Sequence, residues 1–151
     1  MYRPRMRAVV QRVRHASVTV DGEITGAIGA GLCVLVGATH DDTEVQAVKL
    51  ADKLWKLRIF ADEAGKMNLA VADGSGEVLL ISQFTLYGDA AKGNRPSYIT
   101  AARPEVAEPL IERVGARLAE LGATVATGRF GADMSVELLN EGPVTIIIDV
   151  D

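Results

Sequence analysis

Cysteine and histidine are almost absent from this chain. Cys33 is the only cysteine, so no disulfide forms within the chain and a cysteine-rich zinc site is excluded. His15 and His40 are the only imidazoles, and neither belongs to a metal-ligand spacing such as HxxxH. No metal site and no cofactor are expected. Long apolar runs are missing as well. The apolar runs, such as residues 32–36 and 146–148, are far too short to span a bilayer. No basic stretch leads into an apolar segment as in a secretory signal. A cytoplasmic protein without a membrane partner is the expectation. Excess positive charge is the third absence. Lys and Arg number 16 against 20 Asp and Glu, a formal net charge of −4. Proteins that coat DNA or RNA carry the opposite sign. A protein holding one short nucleic-acid end stays open. The common catalytic signatures are missing too: there is no GxSxG, no Walker loop and no HExxH. Gly26, Gly29 and Gly31 do not have dinucleotide-loop spacing and lie between two expected strands.

What is present describes one ordered domain. The chain has 151 residues, 48% of them hydrophobic and 24% charged. Residues 7–20 alternate imperfectly, with Val9, Val18 and Val20 as β-branched markers. Asp21-Gly22 signals a hairpin, and residues 23–28 make the returning strand. Gly29-Ala30-Gly31 turns again, before a continuous apolar strand at residues 32–36. Thr43 with Gln46 fits a capping box. Val45, Val48, Ala51, Leu54 and Trp55 then recur at helical spacing over residues 43–58. Residues 61–76 read as a loop with one short strand near Leu69. Residues 77–86 read as an apolar strand with a polar end, and residues 88–102 as a loop.

Pro104 suits the first position of a second helix and Gly122 its C-terminal cap. Val106, Leu110, Val114 and Leu118 give that helix its apolar stripe. Pro109 inside it predicts a kink or a tight first turn. Strands follow at residues 123–127, 134–139 and 144–150. The order predicts a single α/β domain, ββ-(βα)2-βββ, with both helices on one side of two packed sheets.

Two segments are candidates for chemistry. Ser82-Gln83-Phe84-Thr85 lies at the end of an apolar strand, where side chains and backbone N–H groups commonly face a site. From the residues alone, a strand that simply turns polar as it leaves the core is the favoured reading. Asn140-Glu141-Gly142-Pro143-Val144-Thr145 holds a Gly-Pro break. It reads as a bulge or hairpin corner. With a cis bond it would instead aim neighbouring carbonyls at one point, a receptor for an ammonium group.

At these two segments the chain resembles the D-aminoacyl-tRNA deacylases, hydrolases that remove D-amino acids from tRNA. The resemblance runs from Met6 to Val150. It includes Gln11-Arg12-Val13, Ala16-Ser17-Val18, Arg58-Ile59-Phe60, Gly65-Lys66-Met67-Asn68, Arg95-Pro96-Ser97, Gly128-Arg129-Phe130 and Asp133-Met134. The pairing of Ser-Gln-Phe-Thr with Asn-x-Gly-Pro-Val-Thr, in this order and separation, is its most specific part. Residues 1–5 fall outside it and read as an N-terminal extension of a domain at residues 6–151.

The resemblance implies a homodimer with its active site at the subunit interface. It implies that Gly142 and a cis Pro143 of one subunit enter the pocket of the other, with Asn140 in the same motif. The Gly142 carbonyl would face the α-amino end of the substrate and leave no room for an L side chain. Glycine has no side chain to exclude, so glycyl-tRNA mischarged for alanine becomes a second substrate. Phe130 and Met134 match a segment lining the pocket of the terminal adenosine, although core packing explains each singly. The catalytic candidates are Ser82, Gln83, Phe84 and Thr85. The N–H groups near Phe84 and Thr85 would stabilise an oxyanion, and Gln83 would order the adenosine or the carbonyl. A Thr85 nucleophile needs a base that the sequence does not offer. Help from the ribose 2′-hydroxyl is preferred.

The expected partners are the acceptor end of aminoacyl-tRNA and a second copy of the chain, with no DNA. Lys92, Arg95 and Arg103 read either as phosphate contacts or as ordinary loop surface. His15, His40 and Cys33 receive no role. Two rival functions remain: a module that grips the acceptor end without hydrolysis, and an RNA-independent esterase for small D-amino acid derivatives.

Overall fold

Asp21 and Gly22 both take positive φ, at 49° and 80°, and fold the first hairpin back on itself. The computed structural model describes residues 5–151; of the extension expected at residues 1–5, only Arg5 lies within them. Strand β1 is Met6–Val20. After the hairpin, β2 (Glu23–Ile28) and β3 (Gly31–Gly37) both pair antiparallel with it. β2 takes the far half of β1, from Ala16 to Val20, and β3 takes the near half, from Arg7 to Val13. The two short strands thus act as one long partner, broken at Gly29 and Ala30.

Helix α1 is Glu44–Lys56, and its start follows the capping-box rule. Thr43 Oγ1 accepts from the Val45 N–H at 3.2 Å, and the Thr43 N–H donates to Gln46 Oε1 at 2.7 Å. Its buried stripe is Ala47, Leu50, Ala51 and Leu54. The expected stripe began one residue pair out of phase, because Val45 is exposed. A small hairpin of β4 (Phe60–Ala61) and β5 (Met67–Leu69) follows; only its second strand was expected. Strand β6, Glu77–Ser82, pairs parallel with β3.

Helix α2 is Pro104–Leu121, closed by Gly122 at φ 114°. It is one uninterrupted helix through Pro109, so the expected kink does not divide it. Pro109 and Glu105 are both exposed, which puts the carbonyl that lost its helical partner on a solvated stretch. Ala107, Leu110, Ile111, Val114 and Leu118 are its buried residues; Val106, placed in the stripe by the sequence, is exposed. Strand β7 (Thr124–Thr127) then pairs parallel with β6.

The last two expected strands are one. Strand β8 spans Ser135–Val150 and pairs antiparallel with β1 from Thr19 back to Met6. Its register shifts where it passes Gln11, Val13 and Ala16, so the Gly142-Pro143 break is absorbed as an irregularity rather than a turn.

The result is a mixed α/β domain with a six-stranded sheet that nearly closes on itself. Gly26 of β2 shows how near. A β-carbon there would collide with the Thr127 carbonyl oxygen in β7, so only glycine allows the two backbones this close. Two buried clusters result. The larger joins Met6, Ala8 and Val10 to both helices. The smaller gathers Val13, Ala16, Val18, Val20, Ile28, Cys33, Leu79 and Ile81 and takes nothing from the helices. Cys33 is a packing residue there, and burial pushes its thiol up to about 11. No described helix is long and apolar enough to cross a membrane.

Candidate active site

Strand β6 is buried from Val78 to Ile81 and emerges at Ser82. The Gln83 N–H still donates to the Val36 carbonyl at 2.8 Å, which extends the parallel pairing by one residue. The strand thus ends four residues before the expected residue 86, and the chain tightens into a 3₁₀ turn at Phe84–Tyr87. Tyr87 holds this turn in place. Its ring is buried, and its hydroxyl shares one proton between the Gly37 carbonyl, at 3.1 Å, and the Arg5 carbonyl. The first bond within the turn runs from the Leu86 N–H to the Gln83 carbonyl. The N–H groups of Phe84 and Thr85 therefore precede any helical partner.

This strand end opens into a cavity of about 560 Å³. Ser82, Gln83 and Phe84 line it together with Phe130, Met134, Gly37 and Ala38. Phe84 is 55% exposed and meets the Tyr98 ring edge-on, centroids 5.2 Å apart. A second cavity of about 490 Å³ adjoins it, sharing Ser82, Ile111, Phe130 and Met134. Among the described residues Asp133 is the one carboxylate lining the first cavity. Among the described residues no three His, Cys, Asp or Glu side chains cluster to hold a metal.

Thr85 lies outside both cavities. Its hydroxyl accepts a hydrogen bond from the Gln83 amide. Among the described residues no carboxylate or imidazole bonds to that hydroxyl, so none is in position to take its proton.

The second segment is built differently. The Gly142–Pro143 peptide is cis, and both residues are exposed. Asn140 clamps the irregularity from inside: its Oδ1 accepts from the Val144 N–H at 3.0 Å and its Nδ2 donates to the Val144 carbonyl at 3.1 Å. Val144 is buried in the larger core and anchors the far side. Glu141 pairs with Arg14 at 2.7 Å and with Arg12 at 3.6 Å. The hydrogen bond from Arg14 holds the Glu141 carboxyl below the usual glutamate range.

Arg12 is a residue to which sequence reasoning gave no task. Its side chain is only 13% exposed, and it donates to the Ile59 carbonyl at 2.7 Å. Its Nε is buried without a hydrogen bond, since Glu141 stands too far away to accept one. The only sequence signal was its place inside Gln11-Arg12-Val13. The structure thus gathers Ser82, Gln83, Phe84, Phe130 and Met134 around one cavity. It sets Asn140, Gly142 and Pro143 elsewhere on the same chain, lining neither cavity.

A family model described as D-Tyr-tRNA(Tyr) deacylase matches residues 9–149. The chain belongs to this family. Relatives within it are close. A D-aminoacyl-tRNA deacylase of Anaeromyxobacter dehalogenans is 61% identical over 144 residues, covering 95% of this chain and 97% of that one. One from Streptomyces coelicolor is 60% identical over 146 residues, covering 96% of this chain and all of the other. Among solved structures, the c-Myc DNA Unwinding Element Binding Protein superposes with a TM-score of 0.90 at 41% identity, covering 96% of this chain and 99% of that one. A probable eukaryotic D-amino acid tRNA deacylase shares the fold, with a TM-score of 0.80 at 17% identity. The family match covers both candidate segments and the cavity-lining Phe130 and Met134.

Proposed function

We propose that the protein hydrolyses the ester of D-aminoacyl-tRNA, with the acceptor end seated in the cavity beside Ser82, Gln83 and Phe84. The observation that carries this reading is the cavity itself. It joins the polar strand end to Phe130 and Met134 within a chain of the deacylase family. Phe130 and Met134 offer the terminal adenosine an apolar wall. Water adds to the ester carbonyl, the bond to the ribose oxygen breaks, and that oxygen leaves with a proton. In this reading the N–H of Phe84, with that of the neighbouring Thr85, stabilises the oxyanion that forms between these events. The 2′-hydroxyl of the ribose assists the water. No protein side chain needs to serve as a nucleophile.

Selectivity comes from a second copy of the chain. In a homodimer, Gly142 and Pro143 of one subunit enter the cavity of the other. The Gly142 carbonyl faces the α-amino end of the substrate and excludes an L side chain, while glycyl-tRNA passes. The placement of Gly142 and Pro143 outside their own chain's cavities supports this reading, because a partner must then bring them there. The compartment is the cytoplasm, and the partners are tRNA and the second subunit, without DNA or membrane.

Hydrolysis of D-Tyr-tRNA by the wild type and by Thr85→Ala tests the mechanism. Rates within about threefold of each other are expected, because the hydroxyl has no base. A loss of about 1,000-fold or more in Thr85→Ala would restore the nucleophile.

A further inference from the structure

Helix α1 carries its lysines on one stripe. Lys49, Lys53 and Lys56 follow at i, i+4 and i+7, turned away from the buried Leu50 and Leu54, and all are exposed. With Arg58 and the end of β8 they line an open groove of about 710 Å³. Three acids share that groove, and each is held by an arginine. Asp52 pairs with Arg117 at 2.8 Å, Asp149 with Arg7 at 2.7 Å and Asp151 with Arg5 at 3.7 Å. The cations face weaker competition. Lys49 donates to the main-chain oxygen of Asp151 at 2.6 Å, and Arg58 bonds the neutral Asn68. Lys53 and Lys56 have no ion pair among the described residues. A chain of net charge −4 therefore gathers cationic surface here, with each of the three groove aspartates paired to an arginine outside the groove.

The groove also adjoins the Gly142 loop. Arg58 precedes Ile59, whose carbonyl accepts from Arg12, and a β-carbon on Gly142 would stand 3.1 Å from the Arg12 guanidinium. We propose that the groove formed by Lys49, Lys53, Lys56 and Arg58 binds the phosphate backbone of the tRNA acceptor arm. This rests on the deacylase reading. The loop beside the groove enters the partner's cavity, so the groove flanks the arm whose end that cavity holds. Lysines on flexible stems meet phosphates without reading bases. The groove thus supplies affinity for tRNA without selecting among tRNAs.

The test is the double variant Lys53→Gln/Lys56→Gln, with Lys53→Arg/Lys56→Arg as the charge-restoring control. Both positions are exposed and both replacements suit a helix. Binding of uncharged tRNA is measured by fluorescence anisotropy across a salt series. Steady-state hydrolysis is measured on D-Tyr-tRNA and on a D-tyrosyl ester of adenosine that lacks the arm. Loss of two phosphate contacts should weaken tRNA binding about tenfold at low salt and flatten the log–log salt slope by roughly 1.8. KM for D-Tyr-tRNA should rise about tenfold while kcat holds, and the arginine pair should restore both. The short ester should be hydrolysed as by the wild type. Unchanged tRNA binding and salt slope would overturn the proposal, as would an equal loss on the short ester. If the wild type hydrolyses neither substrate, the deacylase reading fails, and the anisotropy series still decides the groove.

Discussion

Gly142→Ala is expected to lower kcat/KM for D-Tyr-tRNA by about 100-fold while the protein stays folded. The backbone leaves no room for the added methyl. Gly142 sits at φ +125°, a region that L side chains rarely adopt. Its β-carbon would stand 2.7 Å from Cγ2 of Val144 and 3.1 Å from the Arg12 guanidinium. Val144 is buried in the core and Arg12 is tied to Ile59, so neither gives way easily. The loop itself must shift. A displacement of about 1 Å in a positioning element costs on the order of 100-fold in rate. The strain on the fold is smaller, about 1–3 kcal/mol. Steady-state kinetics beside a thermal melt separates the two effects. Near-normal activity in a folded Gly142→Ala protein would remove this loop from the site.

Phe84→Pro is expected to reduce kcat by about 100- to 1,000-fold relative to Phe84→Ala, the cost of one lost oxyanion donor. The position tolerates proline geometrically. Phe84 opens its 3₁₀ turn, where the N–H has no helical partner to lose. Gln83 before it, at φ −146° and ψ 81°, is already outside the helical region that proline forbids its neighbour. Both variants lose the aromatic ring and its edge contact with Tyr98, so their difference isolates the N–H. Equal activity of the two variants would mean that the oxyanion is met elsewhere.

The parts of the fold that the sequence made legible are local ones. Asp21-Gly22, the Thr43–Gln46 capping box and Gly122 each act within a few residues, and each works as read. The parts that were missed depend on distant partners. The strand beginning at Glu77 stops at Ser82 because Tyr87 docks on Gly37, fifty residues earlier in the chain. Gly142-Pro143 looks like a turn between two strands, yet β1 pairs along both sides of it and Asn140 bridges the gap. Helix stripes were placed partly out of phase because Val45 and Val106 are apolar but exposed, and apolar character alone does not say which face meets the sheet.

The candidate site followed the same division. Physical reading of Ser82–Thr85 alone did not separate a site from a fading strand. The resemblance to the deacylases named the residues, and the cavity then gathered Ser82, Gln83, Phe84, Phe130 and Met134. Arg12 stayed unassigned because its contacts lie at Ile59 and Glu141, far along the chain. The basic groove was equally hidden. Its lysines are ordinary surface residues until the pairing of Asp52, Asp149 and Asp151 with arginines is known.

The most direct test of the account is hydrolysis of matched D-Tyr-tRNA, L-Tyr-tRNA and Gly-tRNA by the purified protein, with its oligomeric state measured in the same buffer. The account predicts a dimer that releases D-tyrosine and glycine and leaves L-Tyr-tRNA intact. Comparable release from the D and L substrates, or none from any of the three by a folded dimer, would contradict it.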